Sequence, residues 1–142
     1  MRQIFLFVFL SVCVNVFGTV RTVNNNPNSL AQYNTIQAAV DASANGDTIY
    51  VHGSNIPYAA FTITNKRLIV IGPGWSPVRS FFPFPAQVNA ITISGAGSAS
   101  TEIQGLVIVT PVTLNSPPPD NIHFIRNQFK SAVYILNNGT SS

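Results

Sequence analysis

Short β-branched runs that return at a near-constant interval constrain this chain more than any other feature. Ile49 and Val51 recur as Ile69 and Ile71 twenty residues on, and as Ile91 and Ile93 after a further twenty-two. Strand-forming runs lie at 48–51, 61–64, 68–71, 90–93, 103–109, 112–114, 122–125 and 132–135, most of them separated by Gly, Asn, Ser or Pro. A period of about 20–25 residues with short strands is the signature of a solenoid. One coil cannot bury its own inward side chains. Stacking the next coil about 4.8 Å away buries them and pairs the backbones in parallel. A β-sandwich also gives short, evenly spaced strands, but it joins them with tight hairpins such as Asn-Gly. Here Asn45-Gly46 follows a helical stretch and Asn138-Gly139 lies near the last residues, so neither joins two strands.

One helix is expected. Asn34 can cap it, with Gln37 three residues on as in a capping box. Ile36, Ala39 and Val40 make one apolar face, and Gly46 suits the left-handed position after the last turn. No second helical pattern follows, which argues against a doubly wound α/β fold.

The 142 residues suffice for one domain with a core. Charged residues are 8 % and hydrophobic residues 46 %, so the chain is not a disordered tail. Its bases, Arg21, Lys66, Arg67, Arg79, Arg126 and Lys130 beyond Arg2, are scattered rather than striped. Nucleic acid is therefore not expected as a partner.

Residues 1–18 read as a secretory signal. Arg2 is the basic start, residues 4–14 are an apolar run, and Val16-Phe17-Gly18 fits a cleavage site. The run is shorter than the roughly 20 residues a bilayer span needs. Export to the medium or the cell surface is the expected location, with no membrane span once the signal is removed. The sole cysteine, Cys13, lies in this run and faintly resembles a lipidated lipoprotein cysteine, although Val12 is too bulky for that pattern. Without Cys13 the chain has no thiol, so its stability must come from burial and backbone ladders. Residues 19–33 read as a polar lead-in, and residues 34–142 as the helix and the strands.

The stretch Tyr33-Asn34-Thr35-Ile36-Gln37-Ala38-Ala39-Val40-Asp41-Ala42, followed by Gly46-Asp47-Thr48-Ile49-Tyr50-Val51, resembles the opening of pectin-lyase-like right-handed β-helix proteins. Thr101-Glu102-Ile103-Gln104-Gly105-Leu106-Val107-Ile108 is similar to their "I-x-G-L-x-I" coil step. Asp120-Asn121-Ile122-His123-Phe124-Ile125-Arg126-Asn127-Gln128-Phe129 is similar to "N-I-x-I-x-N-N-x-F". The resemblance covers roughly residues 31–137. It implies an all-β, right-handed parallel β-helix whose short N-terminal α-helix caps the first coil. Nothing in the sequence resembles a cap at the other end, so further coils of the same protein are expected as its neighbour.

Lyases of this superfamily hold calcium with clustered Asp and use Arg or Lys as base. Here the acids are Asp41, Asp47, Glu102 and Asp120, placed on different expected elements. Neither a calcium cluster nor a close carboxylate pair is expected from them. His52 and His123 have no third ligand at zinc spacing. No nucleophile elbow, phosphate loop or dinucleotide fingerprint occurs. No catalytic residue, metal or cofactor is assigned.

The segment 73–88 stands apart. Pro73, Pro77, Pro83 and Pro85 forbid a helix or central strand and make it a stiff excursion. It carries Trp75, Arg79, Phe81, Phe82 and Phe84, whose rings and cation could stack on a sugar or a protein partner. These are the candidate ligand residues. The bland reading is that the Phe side chains fold back and seal the flank. Asn138-Gly139-Thr140 fits a glycosylation acceptor. The expected function is a secreted or cell-surface scaffold of adhesin type. The alternatives are the N-terminal part of a polysaccharide-degrading enzyme and a carbohydrate-binding module.

Overall fold

A computed structural model describes residues 18–76, 84–115 and 117–135. The elements in chain order are β1 (Val20–Val23), α1 (Ile36–Ala42), β2 (Thr48–Val51), β3 (Phe61–Thr64), β4 (Ile69–Ile71), β5 (Ala86–Val88) and β6 (Ile91–Ser94). They continue with β7 (Glu102–Gln104), β8 (Leu106–Ile108), β9 (Val112–Asn115), β10 (His123–Ile125), β11 (Gln128–Phe129) and β12 (Val133–Ile135). The protein is β-rich with little helix, and every strand pairing is parallel.

The strands form three sheets, in the orders β1-β2-β4-β7-β10, β5-β8-β11 and β3-β6-β9-β12. From β4 onward each pass of the chain gives one strand to each sheet in the same sequence. β2 is followed by Tyr58, bridged to Val88 of the second sheet, and then by β3. Where nothing intervenes the register advances by twenty-one residues, as Thr48 faces Ile69, Glu102 faces His123, and Ile91 faces Val112, which faces Val133, or by twenty, as Ala86 faces Leu106. One pass is longer. Ile69 faces Glu102, thirty-three residues on, because the excursion between β4 and β5 is inserted there.

In-register inward columns make up the core. In the first sheet Ile49, Val70 and Ile103 are in register and fully buried. In the second Tyr58, Val88 and Ile108 line up, and in the third Phe61, Ile91 and Val112. Burying each such side chain contributes about 1.5–3 kcal/mol, so the columns supply the cohesion that cysteine cannot. Each column runs out on the last pass. Phe124 is only half-buried, Phe129 is 38 % exposed and Val133 is 44 % exposed, because nothing described stacks beneath them.

The opposite end is closed on all three sides. Tyr33 bridges Val23, and Gln32 exchanges hydrogen bonds with Thr22 on the free edge of β1. The Asn25 side chain donates to the Ile56 carbonyl at 2.9 Å beside Tyr58. Helix α1 lies against β1, β2 and β3. An edge left bare would expose unpaired backbone groups, and these contacts cover it.

Several expectations change in detail. Ile49 faces Val70, not Ile69, and Ile91 and Ile93 pair with Phe61 and Ile63 in a different sheet. Apolar dyads occur in more than one strand of a pass, so the nearest look-alike is not the register partner. The run 103–109 is two strands, broken at Gly105, whose φ of +62° turns the corner between sheets. The helix cap is Thr35, whose hydroxyl accepts from the Ala38 amide at 3.2 Å, and not Asn34. The helix stops at Ser43, so Gly46 (φ +91°) serves the following turn instead. Residues 20–23, within the expected polar lead-in, form β1; Thr22 and Arg21 hide its alternation. β5 lies inside the segment read as excursion, directly after Pro85. A proline preceding a strand costs no ladder bond. β11 has two residues and no pattern of its own.

Candidate functional site

The corner between the first and second sheets is where the passes differ most. Ile71 is followed by fourteen residues before β5, whereas Gln104 and Leu106 are separated by Gly105 alone. Gly72, Gly105 and Arg126 occupy the same corner position on successive passes, one residue after the in-register Ile71, Gln104 and Ile125. The layers touch here. A Cβ on Gly72 would lie 2.5 Å from the Gly105 carbonyl oxygen, and one on Gly105 would lie 2.7 Å from that of Gly72. Only glycine allows that approach. Gly72 N and Gly74 N donate to Gln104 O (2.8 Å) and Gly105 O (3.0 Å), which aims the excursion out of the corner. One pass on, Asn127 bonds the same corner twice, accepting from Leu106 N at 2.9 Å and donating to Ile103 O at 2.7 Å.

This construction opens a cleft of about 600 Å³, lined by the 71–76 segment with Trp75, and by Gln104, Gly105 and Arg126. Trp75 is 45 % exposed and offers a ring face. Arg126 is exposed and adopts φ +51°, a region that side chains other than Gly and Asn rarely enter. Gln104 donates to Glu102 Oε2 at 3.0 Å. The chemistry available is an aromatic platform, one cation and one amide.

Of the residues singled out in sequence, Trp75 lines this cleft. Phe84 does not. It lies where the excursion returns over Gly53, where any Cβ would run into the Phe84 carbonyl. Arg79, Phe81 and Phe82 lie outside the described residues, as do residues 1–17 with Cys13, and Asn138 with its acceptor motif. Arg126 and Gln104 escaped the sequence reading. The signal that could have found Arg126 is its spacing of twenty-one from Gly105, which puts a charged residue at a glycine position.

Asp41, Asp47 and Glu102 are engaged in local contacts. Asp47 is buried between β1, the end of α1 and β2. It accepts from Thr19 N at 2.8 Å, Ala44 N at 2.9 Å, and Arg21 Nη2 and Nε at 3.2 and 3.3 Å. Burial alone would raise its carboxyl, but the Thr19 and Ala44 amides and the Arg21 guanidinium outweigh it and hold the group below the usual carboxylate range. Arg21 also donates to the Tyr33 hydroxyl at 3.1 Å. Glu102 is 3.7 Å from Arg67, and Asp41 accepts from Gln37 at 2.8 Å. Among the described residues no three His, Cys, Asp or Glu side chains are grouped to hold a metal ion. His52 packs edge-on to Tyr50 at 5.0 Å, and His123 is exposed.

Compared with family models, with curated proteins and with solved structures, the chain matches none.

Proposed function

We propose that this is the capped beginning of an exported, right-handed parallel β-helix of pectin-lyase-like type, and that it acts as a non-catalytic scaffold outside the cell or on its surface. The observation that carries the reading is the ladder register: three parallel sheets, advanced by twenty or twenty-one residues per uninterrupted pass. The helix across β3 supports the capping role, and the apolar N-terminal run supports export. The engagement of Asp41, Asp47 and Glu102 in local contacts favours a scaffold over an enzyme in this stretch. The half-exposed Phe124, Phe129 and Val133 offer the surface on which further coils or a partner would stack. Expression in a secretory host tests the export. Protein recovered outside the cell with its N-terminal segment removed supports it, and retention of the intact chain inside overturns it.

A second reading is favoured by the corner cleft: Trp75, Gln104 and Arg126 form a carbohydrate-binding site on the scaffold. A sugar ring would stack on Trp75 while Arg126 and Gln104 bond its oxygens. Binding to a glycan panel, repeated with Trp75→Ala and Arg126→Ala, decides it. A loss of tenfold or more in both variants supports the site. Unchanged binding, or none in the parent, removes it.

A further inference from the structure

We infer that cutting the Gly18–Thr19 peptide bond does more than release the protein: it converts the Thr19 nitrogen into a charged end group that the Asp47 carboxylate is placed to hold. The inference rests on the export reading, in which Val16-Phe17-Gly18 precedes the cut. A secretory peptidase supplies the hydrolysis. Water adds across the bond, Gly18 leaves as a carboxylate, and Thr19 keeps an amine that is protonated near neutral pH.

The receiving site is complete around that one nitrogen. Thr19 N lies 2.8 Å from Asp47 Oδ1, while Oδ2 takes the Ala44 amide and the Arg21 guanidinium. The Asp47 side chain is 4 % exposed, so its interactions are weakly screened. Thr19 is not a loose end, because its carbonyl accepts from Thr48 N at 2.9 Å and so continues the β1–β2 ladder. It is exposed, so the remaining protons of an ammonium can reach water. The other charged or titratable groups on the surrounding elements are Arg21, Tyr33, Lys66, Asp41 of α1, which accepts from Gln37, and Tyr50 of β2. The Lys66 ammonium donates to the Val40 and Ser43 carbonyls at the end of α1.

A neutral amide at Thr19 already makes this bond. An ammonium adds a full positive charge 2.8 Å from the carboxylate, an attraction that amounts to roughly tenfold in the unfolding equilibrium constant even at the dielectric of water. Processing therefore tightens the closed end of the structure, where β1, α1 and β2 meet.

The test begins with the full chain expressed in a secretory host and N-terminal sequencing of the product. A product that does not start at Thr19 overturns the inference together with the cleavage site. For a product that does start there, unfolding is compared before and after selective acetylation of the terminal amine, which leaves a neutral N–H in place. The expected result is a rise of about tenfold in the unfolding constant on acetylation, and the same loss in the free form as pH rises through the amine's titration. Asp47→Asn should erase the difference. Equal stability of free and acetylated forms overturns the latch and leaves export standing.

Discussion

The side-chain amide of Gln37 meets the backbone of Thr62 on both sides, accepting from its N–H at 2.7 Å and donating to its carbonyl at 3.3 Å. In effect one glutamine stands in for the missing neighbour of β3, the outermost strand of its sheet. The helix thus closes an edge with a hydrogen-bonding group as well as with apolar surface. Gln37→Ala leaves the helix intact but uncaps that edge. The expected cost is about 1–2 kcal/mol, read by denaturant unfolding, with faster amide exchange at Thr62. Gln37→Met, of similar length but unable to bond, should cost about the same.

Asp47 gives the closed end a pH dependence. Its carboxyl is held below the ordinary value by the Thr19 and Ala44 amides and by Arg21 against the opposing effect of burial. A depressed folded value means stability that is fully present above the unfolded carboxylate range, near pH 4, and is lost as pH falls through the folded value. Acid unfolding of the parent should therefore include a proton uptake that Asp47→Asn lacks. Removing the charge with Asp47→Ala strands Arg21 and should cost about 3 kcal/mol at neutral pH, measured by urea titration.

Arg126 sits at the corner position that Gly72 and Gly105 fill on earlier passes, with a left-handed backbone. A side chain in that conformation costs about 1 kcal/mol. Arg126→Gly should stabilise the protein by about that amount, raising its melting temperature by a few degrees. If the cleft binds a ligand, the same change should abolish binding. Stability gained while binding is lost would mark Arg126 as a residue kept for recognition, not for folding.

What the sequence disclosed follows from what each signal measures. Strand content was legible because β-branched residues crowd every ladder, and the helix because Ile36, Ala39 and Val40 share one face. The register was not. A pass carries up to three apolar strands, so Ile49 has several look-alikes, and only pairing geometry selects Val70. β1 was hidden because Arg21, in register with the buried Ile49, puts a guanidinium where alternation predicts an apolar residue; Asp47 and Tyr33 supply its partners. The cleft was half legible. Trp75 stood out among its prolines, but Gln104 and Arg126 are ordinary residues until the corner brings them, 29 and 51 positions further on, beside it.

The central claim is parallel, in-register stacking of successive coils, and the absence of any cysteine after Cys13 makes it directly measurable. β6 and β9 place Thr92 beside Thr113 and Ser94 beside Asn115, all partly exposed. Neighbouring strands lie about 5 Å apart, within reach of a disulfide. The decisive measurement is the yield of intramolecular disulfide in four double-cysteine variants after mild oxidation. The account predicts efficient closure for Thr92→Cys with Thr113→Cys and for Ser94→Cys with Asn115→Cys, and poor closure for the crossed pairs 92 with 115 and 94 with 113. Closure of the crossed pairs in preference would mean antiparallel neighbours and would contradict the stacked-coil fold.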